Sequence, residues 1–427
     1  MSPDEPGDES RSLWASGPFR TFWSAQAVSQ LGDRISELAL PLIAVTTLSS
    51  STGEMSILTA LIWVPNVLGV FVGSLADRQS QEKRLLVAAD LIRALMLLSI
   101  PVMYAFDLLT IWQLFAAALV VGLGSVVFNT AYASLFAVLV SARQFVEANS
   151  KLSATQSASY VVGPSIGGVL VQLVGAPVAV VLDAVSFLFS AAQIRRLRVR
   201  TRQPVVGGRR RPSMQGFAFT FRQAHLVKIL AAATTVNFFT FLIANGLTIL
   251  YASRYLHLSA GAIGVAYGIG SVGGLLASAV TSALNIRYGV GRIAILGCVL
   301  FPLPLVLLAV AHGPIVWKVA LIAASEMLSS FGMVLFDINS NAIRASVTPD
   351  GMRSRVSGVF ATVNYGVRPV AALLGGVLAS GLGLRATIVI AACGGTVAAG
   401  WLVFSPIRTL TSLESTAASS ALRPASS

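Results

Sequence analysis

The sequence predicts an all-α membrane protein, with twelve transmembrane helices in two pseudo-symmetric six-helix bundles and both termini cytoplasmic. Three observations carry this. Of the 427 residues, 55% are hydrophobic and only 11% charged, against roughly a quarter charged in soluble domains. The apolar residues gather into about a dozen runs of the ~20 residues that a bilayer-crossing helix needs. Finally, cations alternate from one connection to the next, and a shift of 208 positions aligns landmarks of the two halves.

Taken in order, residues 1–18 are polar and acidic through Asp4, Glu5, Asp8 and Glu9. They lack the basic-then-apolar order of a cleaved signal peptide and read as a disordered cytoplasmic tail. A first bundle, 19–194, has spans at about 20–48, 55–76, 84–105, 110–140, 147–173 and 176–194. A basic cytoplasmic linker, 195–224, contains Pro204, Gly207, Gly208 and Pro212. A second bundle, 225–408, has spans at about 225–252, 260–283, 291–311, 314–343, 353–380 and 383–405. Residues 409–427, rich in Ala and Ser, read as a second disordered tail. The long fourth and tenth runs imply tilt or helices that extend past the bilayer.

Orientation follows from the cations. Even-numbered connections carry Arg78, Lys83 and Arg84, then Arg143, the linker arginines, Arg287 and Arg292, and Arg344, Arg353 and Arg355. Odd-numbered connections hold only Arg254, Lys318 and Arg385. Positive charge marks the cytoplasmic side. The net charge of +13 therefore reads as topology and anionic-lipid contact, with no nucleic-acid partner expected. The repeat aligns Phe128-Asn129 with Phe336-Asp337 and Gly167-Gly168 with Gly375-Gly376, as expected where a substrate path lies between related bundles.

Charges within spans are the candidates for chemistry. Asp33, Arg34 and Glu37 fall near the middle of the first span, where each would cost about 2.5–3.5 kcal/mol facing lipid, so they must face protein or water. Asp33 and Glu37 are four apart on one face, and two carboxylates in a low-dielectric cavity cannot both ionise easily, which suits proton binding and release. Static pairing is the alternative, Glu37 with Arg34 or Asp33 with Arg368. Glu326, near mid-depth in the tenth span, is the second candidate proton carrier. Asp90 is expected to join Arg93 or Arg84 in a cytoplasmic cluster with Asp77, and Asp183 to be structural.

In a fold of two related bundles, the substrate cavity is expected to be lined from the first, fourth, seventh and tenth spans by Gln30, Arg34, Asn129, Tyr132, Asn237, Phe238, Phe241, Asn245, Phe336 and Asp337. Aromatic walls with few charges suit bulky amphipathic molecules. Gly268-Ile-Gly270-Ser-Val-Gly273 matches a dinucleotide fingerprint, but with no preceding strand it reads as helix packing. Cys298 and Cys393 lie in apolar runs, and His225, His257 and His312 do not cluster. No catalytic residue, metal set or cofactor is expected, and the chain is not read as an enzyme.

Two motifs carry a resemblance. The loop beginning Gly73-Ser-Leu75-Ala76-Asp77-Arg78 and reaching Leu85 is similar to the loop signature of the major facilitator superfamily, with its later cations displaced to Lys83 and Arg84. Gly163-Pro164-Ser-Ile-Gly167-Gly168 resembles the end of that superfamily's antiporter signature, with Ser150 and Ser159 at its two upstream glycine positions. Together with Gln30-Leu-Gly-Asp33-Arg34, Leu182-Asp183-Ala-Val-Ser-Phe187 and Arg368-Pro369, the chain resembles the branch that includes macrolide-type efflux pumps and enterobactin-type siderophore exporters.

That resemblance implies a monomeric, proton-driven antiporter in a bacterial inner membrane, exporting a small, largely apolar compound by alternating access. Gating is expected at Gly73, Asp77 and Arg78, with Asp77 meeting the start of the eleventh span near Arg353 and Arg355, and at Gly163, Pro164, Gly167 and Gly168. A proton-linked nutrient importer and a non-transporting receptor on the same fold remain the alternatives.

Overall fold

The computed structural model describes residues 13–76, 82–141, 144–197, 214–244 and 246–411. Asp77, Arg78 and Asn245 lie outside these residues. The first half contains α1 (Gly17–Leu42), α2 (Thr52–Ala76), α3 (Glu82–Ala105), α4 (Ile111–Leu139), α5 (Phe145–Val174) and α6 (Ala176–Arg196). The second contains α7 (Met214–Arg222), α8 (Ala224–Phe241), α9 (Gly246–Leu250), α10 (Ala260–Tyr288), α11 (Val290–Leu300), α12 (Val306–Ala309), α13 (Ile315–Val347), α14 (Arg353–Leu382), α15 (Leu384–Thr396) and α16 (Ala399–Val403).

Local chemistry sets the ends. Ser16 caps α1 by accepting from the Phe19 amide at 3.4 Å. Ser51 and Glu54 form a capping box at α2: the Ser51 amide donates to Glu54 Oε2 at 2.7 Å and the Glu54 amide to Ser51 Oγ at 3.3 Å. Ten helical stretches among the described residues are long and apolar enough to cross a membrane. In addition, α1 and α2 have 26 and 25 residues, and α1 carries Arg20, Asp33, Arg34 and Glu37 along its length.

Three expected spans are interrupted. The seventh is divided between α8 and α9, the ninth breaks between α11 and α12 around Pro302 and Pro304, and the twelfth between α15 and α16. Proline removes a backbone donor and clashes with the preceding turn, which accounts for the second break. The expected linker also contains a helix, α7, which packs on α14, with Arg355 donating to Gln215 Oε1 at 2.6 Å.

The internal repeat is written into the backbone. A π-helical turn closes α1 at Ile43–Thr47, and another follows α9 at Tyr251–Tyr255, 208 positions later. Each is followed by a left-handed residue, Ser49 (φ 52°) and His257 (φ 54°). Gly175 (φ 85°) and Gly383 (φ 87°) likewise make the single-residue links α5–α6 and α14–α15. Positive φ is sterically cheap for glycine, which fits these tight links.

The apolar core reveals the state of the molecule. At one end, a single cluster joins both halves, from Ile35, Leu42 and Met55 to Leu242, Leu250 and Ile263. At the opposite end, which carries Arg84, Arg287, Arg344 and Arg355, it separates by half. Phe19, Phe22, Leu86 and Phe136 belong to the first half, and Leu226, Cys298, Phe336 and Phe360 to the second. The halves are thus sealed together at one end and parted at the cation-rich end.

The cations on the opposite side are tied into that seal. Arg254 donates to the Val45 carbonyl at 3.3 Å, joining the two π turns. Lys318 donates to the Leu256 carbonyl at 3.0 Å, and Arg385 to the Tyr251 hydroxyl at 3.5 Å.

Candidate functional site

The closed seam between the halves is built on glycines. Gly163 and Gly167 of α5 lie against Arg34 and Ile35 of α1. Gly168 faces the other half, and a β-carbon there would fall 2.7 Å from the Cα of Gly264 in α10. The carbonyl of Pro164 lies against Gly264 too, so the antiporter-like motif forms part of the inter-half seam. The repeat places Gly376 of α14 against Ser56 and Thr52 of α2, and Gly375 against Leu242. In the fingerprint-like run of α10, Gly268 meets Ser165 and Val161 of α5, while Gly270 and Gly273 meet Glu326 and Met327 of α13. Its glycines are there for close helix approach.

Around this seam the charged groups fall into three sets. In α1, Arg34 is paired with Glu37, and its guanidinium lies 4.4 Å from the centre of the Tyr160 ring. This is one of the static pairings considered above. Glu37 is the more open partner, with 44% of its side chain accessible, and Tyr267 of α10 lies within its electrostatic reach. Asp33 sits instead within reach of Arg93, Arg34 and Glu37, and the suggested pairing with Arg368 is not formed.

The second set is internal to the first half. Asp90 and Arg93 of α3 form an ion pair, with relative exposures of 0% and 2%. Arg93 also donates to Ser125 Oγ at 3.3 Å and lies 4.1 Å from the centre of the Phe187 ring. The expected pairing of Asp90 with Arg93 is thus formed, but it is turned into the bundle interior toward α4 and α6, two turns into α3; Asp77, the other expected member of the cluster, lies outside the described residues. Asp183 of α6, 1% exposed, accepts hydrogen bonds from Ser36 of α1 and from Ser186 at 3.1 Å. Gly32 provides the close α1–α6 approach that lets Ser36 reach it.

The third set belongs to the second half. Glu326 of α13 packs its Cβ against Gly270, and among the described residues its carboxylate has neither an ion-pair nor a hydrogen-bond partner. Tyr267 lies within electrostatic reach of it as well as of Glu37. Asp337 is exposed, as is the repeat-related Asn129, and lies within reach of Arg368 and Arg344.

Of the expected cavity residues, Phe336 and Tyr132 hold packing positions. Phe336 is 2% exposed in the core of the second half, one helical step away from the open face of Asp337. Tyr132 is stacked with Phe22 at 5.1 Å and with Phe136 at 6.0 Å, a packing position in the first half. Asn237 spends its amide on the Ala233 carbonyl at 2.8 Å. Gln30 and Phe238 are half-buried, and Phe238 packs against the shared core. Gly73 lies within α2. Phe241 does reach the seam, where it meets residues that the sequence reading did not select: Trp63 of α2 and Tyr365 of α14, which enclose Arg368. A hollow of about 490 Å³, lined by Trp14, Arg20, Trp23 and Gln193 among others, lies apart from the seam at the start of α1.

Comparison with known proteins agrees with this architecture. The profile of the transmembrane secretion effector family matches residues 12–425. The chain belongs to that family. Among family relatives, it is similar to macrolide efflux protein A of Streptococcus pyogenes, 24% identical over 272 residues, covering 60% of this chain and 65% of that protein's length. An uncharacterized MFS-type transporter of Bacillus subtilis, YfiS, is 30% identical over 172 residues, 40% of each chain. Two solved structures share the fold: a bacterial homologue of the iron transporter ferroportin in an inward-facing state (TM-score 0.72, 16% identity, 92% of this chain and 99% of that one) and a bacterial homolog of the human lysosomal transporter Spinster, inward-facing and unoccupied (TM-score 0.65, 14% identity, 92% and 100%). The family is one of major facilitator transporters and not of enzymes.

Proposed function

We propose that this family member is a secondary active transporter of twelve spans that exports a small amphipathic or hydrophobic compound by proton antiport and alternating access. The observation that carries this is the core: one apolar cluster spans both halves at one end and divides by half at the other, and the open carboxylate of Glu37 lies within reach of Tyr267 of the opposite half. A molecule so built can expose a central site to the cation-rich side, and rocking about the seam would expose it to the other. Taking that side as cytoplasmic, in a bacterial plasma membrane, makes this an inward-open state.

Export as the direction is supported by the relationship to a macrolide efflux protein and by the antiporter-like seam of α5. We assign proton coupling to Asp33, Glu37 and Glu326. Glu326 is the most favourable of these, because a partnerless carboxylate gains or loses its proton without breaking an ion pair. The membrane potential adds roughly 2.3 kcal/mol per charge moved for each 100 mV. Gly73, Asp77 and Arg78 are assigned to gating at the cation-rich end.

The deciding experiment reconstitutes the protein in liposomes and follows internal pH on addition of a hydrophobic antibiotic. Drug-driven proton movement is expected in the wild type and lost in Asp33→Asn and Glu37→Gln, with drug binding retained in part. Full coupled movement in both variants would exclude those two residues as carriers. Drug flux with no proton movement in the wild type would exclude antiport.

A further inference from the structure

Arg368 of α14 is placed unusually for a cation near the middle of a spanning helix. Its guanidinium carbon lies 4.3 Å from the centre of the Trp63 ring, 4.6 Å from Phe241 and 4.8 Å from Tyr365. Trp63 comes from the first half and the other two rings from the second, so the box straddles the parting line. The rings also hold one another, Trp63 edge-on to Phe241 at 5.1 Å and stacked with Tyr365 at 6.2 Å.

Aromatic faces satisfy the flat sides of a guanidinium but not its in-plane N–H groups. Among the described residues, Arg368 makes no hydrogen bond or ion pair, and its Nε is buried without a partner. One neighbouring donor is in the same condition, the indole N–H of Trp63. Asn364, four residues before Arg368 on the same face of α14, adds an amide whose Oδ1 is unpartnered and whose NH2 is a further donor beside the guanidinium. Asp337 is within electrostatic reach but forms no ion pair with Arg368. A half-buried guanidinium whose Nε is shut off from any partner is favoured by an anion that meets its free edge, and its planar fork matches a carboxylate in two-point geometry.

We propose that the Arg368 guanidinium and the Trp63 indole N–H, flanked by the Asn364 amide, form an anion-recognising subsite, which takes the carboxylate of a cargo whose planar apolar body lies against the Trp63–Phe241–Tyr365 rings. This deepens the transport reading and rests on it, by naming the cargo as an aromatic or amphipathic carboxylate. Because Trp63 belongs to the opposite half from its ring partners, cargo bound there would touch both halves at once, as alternating access requires.

The test uses the full chain in lipid nanodiscs near neutral pH and three probes with one ring system: naphthoate, naphthamide and naphthylmethylammonium. Equilibrium dialysis is expected to give naphthoate at least about tenfold tighter binding than the other two, the scale of one charge-assisted two-point contact. Arg368→Gln is expected to reduce naphthoate to the level of the amide, and Arg368→Lys to keep part of the preference. Trp63→Phe, which keeps an aromatic face and removes the indole N–H, is expected to weaken naphthoate more than the other two probes.

Equal binding of the probes, preference for the ammonium, no binding at all, or a preference that survives Arg368→Gln overturns the subsite. If Arg368→Gln does not purify as a folded protein, Asn364→Asp replaces it: a new carboxylate beside the guanidinium should cut the naphthoate advantage, and an unchanged advantage overturns the proposal. Flux in proteoliposomes is read separately. Anion preference without flux removes the transport reading and leaves the subsite, whereas flux without preference does the reverse.

Discussion

Gly168 of α5 and Gly264 of α10 meet backbone to backbone across the closed end, so that a β-carbon on either would fall 2.7 Å from the other's Cα. The repeat builds the partner seam with Gly376 against Ser56. Each seam admits a glycine and little else, which explains why the halves seal at this end.

Gly264→Leu is therefore expected to wedge the seam. Overpacking of this kind costs about 1–3 kcal/mol, enough to invert a two-state balance of similar size. Spin labels placed at the closed-end termini of α5 and α10 should report a longer distance, and efflux should fall at least about tenfold. An unchanged distance distribution would mean that the seam yields elsewhere.

Asp90 and Arg93 form a fully buried pair, and such pairs are destabilising mainly when one partner is left alone. Asp90→Asn and Arg93→Gln should each cost about 3–5 kcal/mol, lowering the melting temperature in detergent, while the double variant recovers much of the loss. Additive losses would mean that each residue is held by other neighbours, such as Ser125 for Arg93.

What could be read from the sequence divides along physical lines. Composition, cation alternation and the repeat depend on long stretches of chain, and the repeat's mark is visible in Ser49 and His257, Gly175 and Gly383. The glycines of α5 and α10 were legible because only close packing rewards such residues in an apolar helix. Single aromatics were not legible. Phe336 and Phe241 look alike in sequence, yet helical phase buries the first in the second half's core and turns the second to the seam. The box around Arg368 draws on α2, α8 and α14, and no local pattern links Trp63 to Tyr365. The helix α7 was hidden by the prolines, glycines and arginines that precede it.

Asp183 is held by two hydroxyls rather than by a cation, those of Ser36 and Ser186. Asp183→Leu would strand both donors in the α1–α6 interface, at about 1–3 kcal/mol for each buried group left unpaired, whereas Ser36→Ala removes one donor and should cost less. Thermal unfolding is expected to rank wild type above Ser36→Ala and both above Asp183→Leu. Folded Ser36→Ala protein should retain its response to a proton gradient, since no charge has changed. Loss of that response with stability intact would move Asp183 from scaffold to coupling.

Tyr267 stands between two carboxylates of opposite halves, within electrostatic reach of Glu37 in α1 and of Glu326 in α13. Its hydroxyl pairs with Thr248 in this state; freed from that partner, the phenol could donate to a carboxylate or accept from an acid of either half without itself ionising. Glu326→Gln is expected to make efflux independent of an imposed pH gradient while leaving cargo binding within about twofold, because the amide keeps the shape and polarity of the protonated acid. Tyr267→Phe preserves the ring and removes only the hydroxyl, and should slow proton-linked efflux at least about fivefold, the scale of one hydrogen bond lost from the relay, with an unchanged cargo affinity, whereas Thr248→Val, which removes only the hydroxyl's present partner, should leave the rate within about twofold. Rates are read as dye efflux from everted vesicles with and without the gradient. If Tyr267→Phe is silent while Glu326→Gln is not, the proton exchanges with water in the parted space and the two carboxylates act separately.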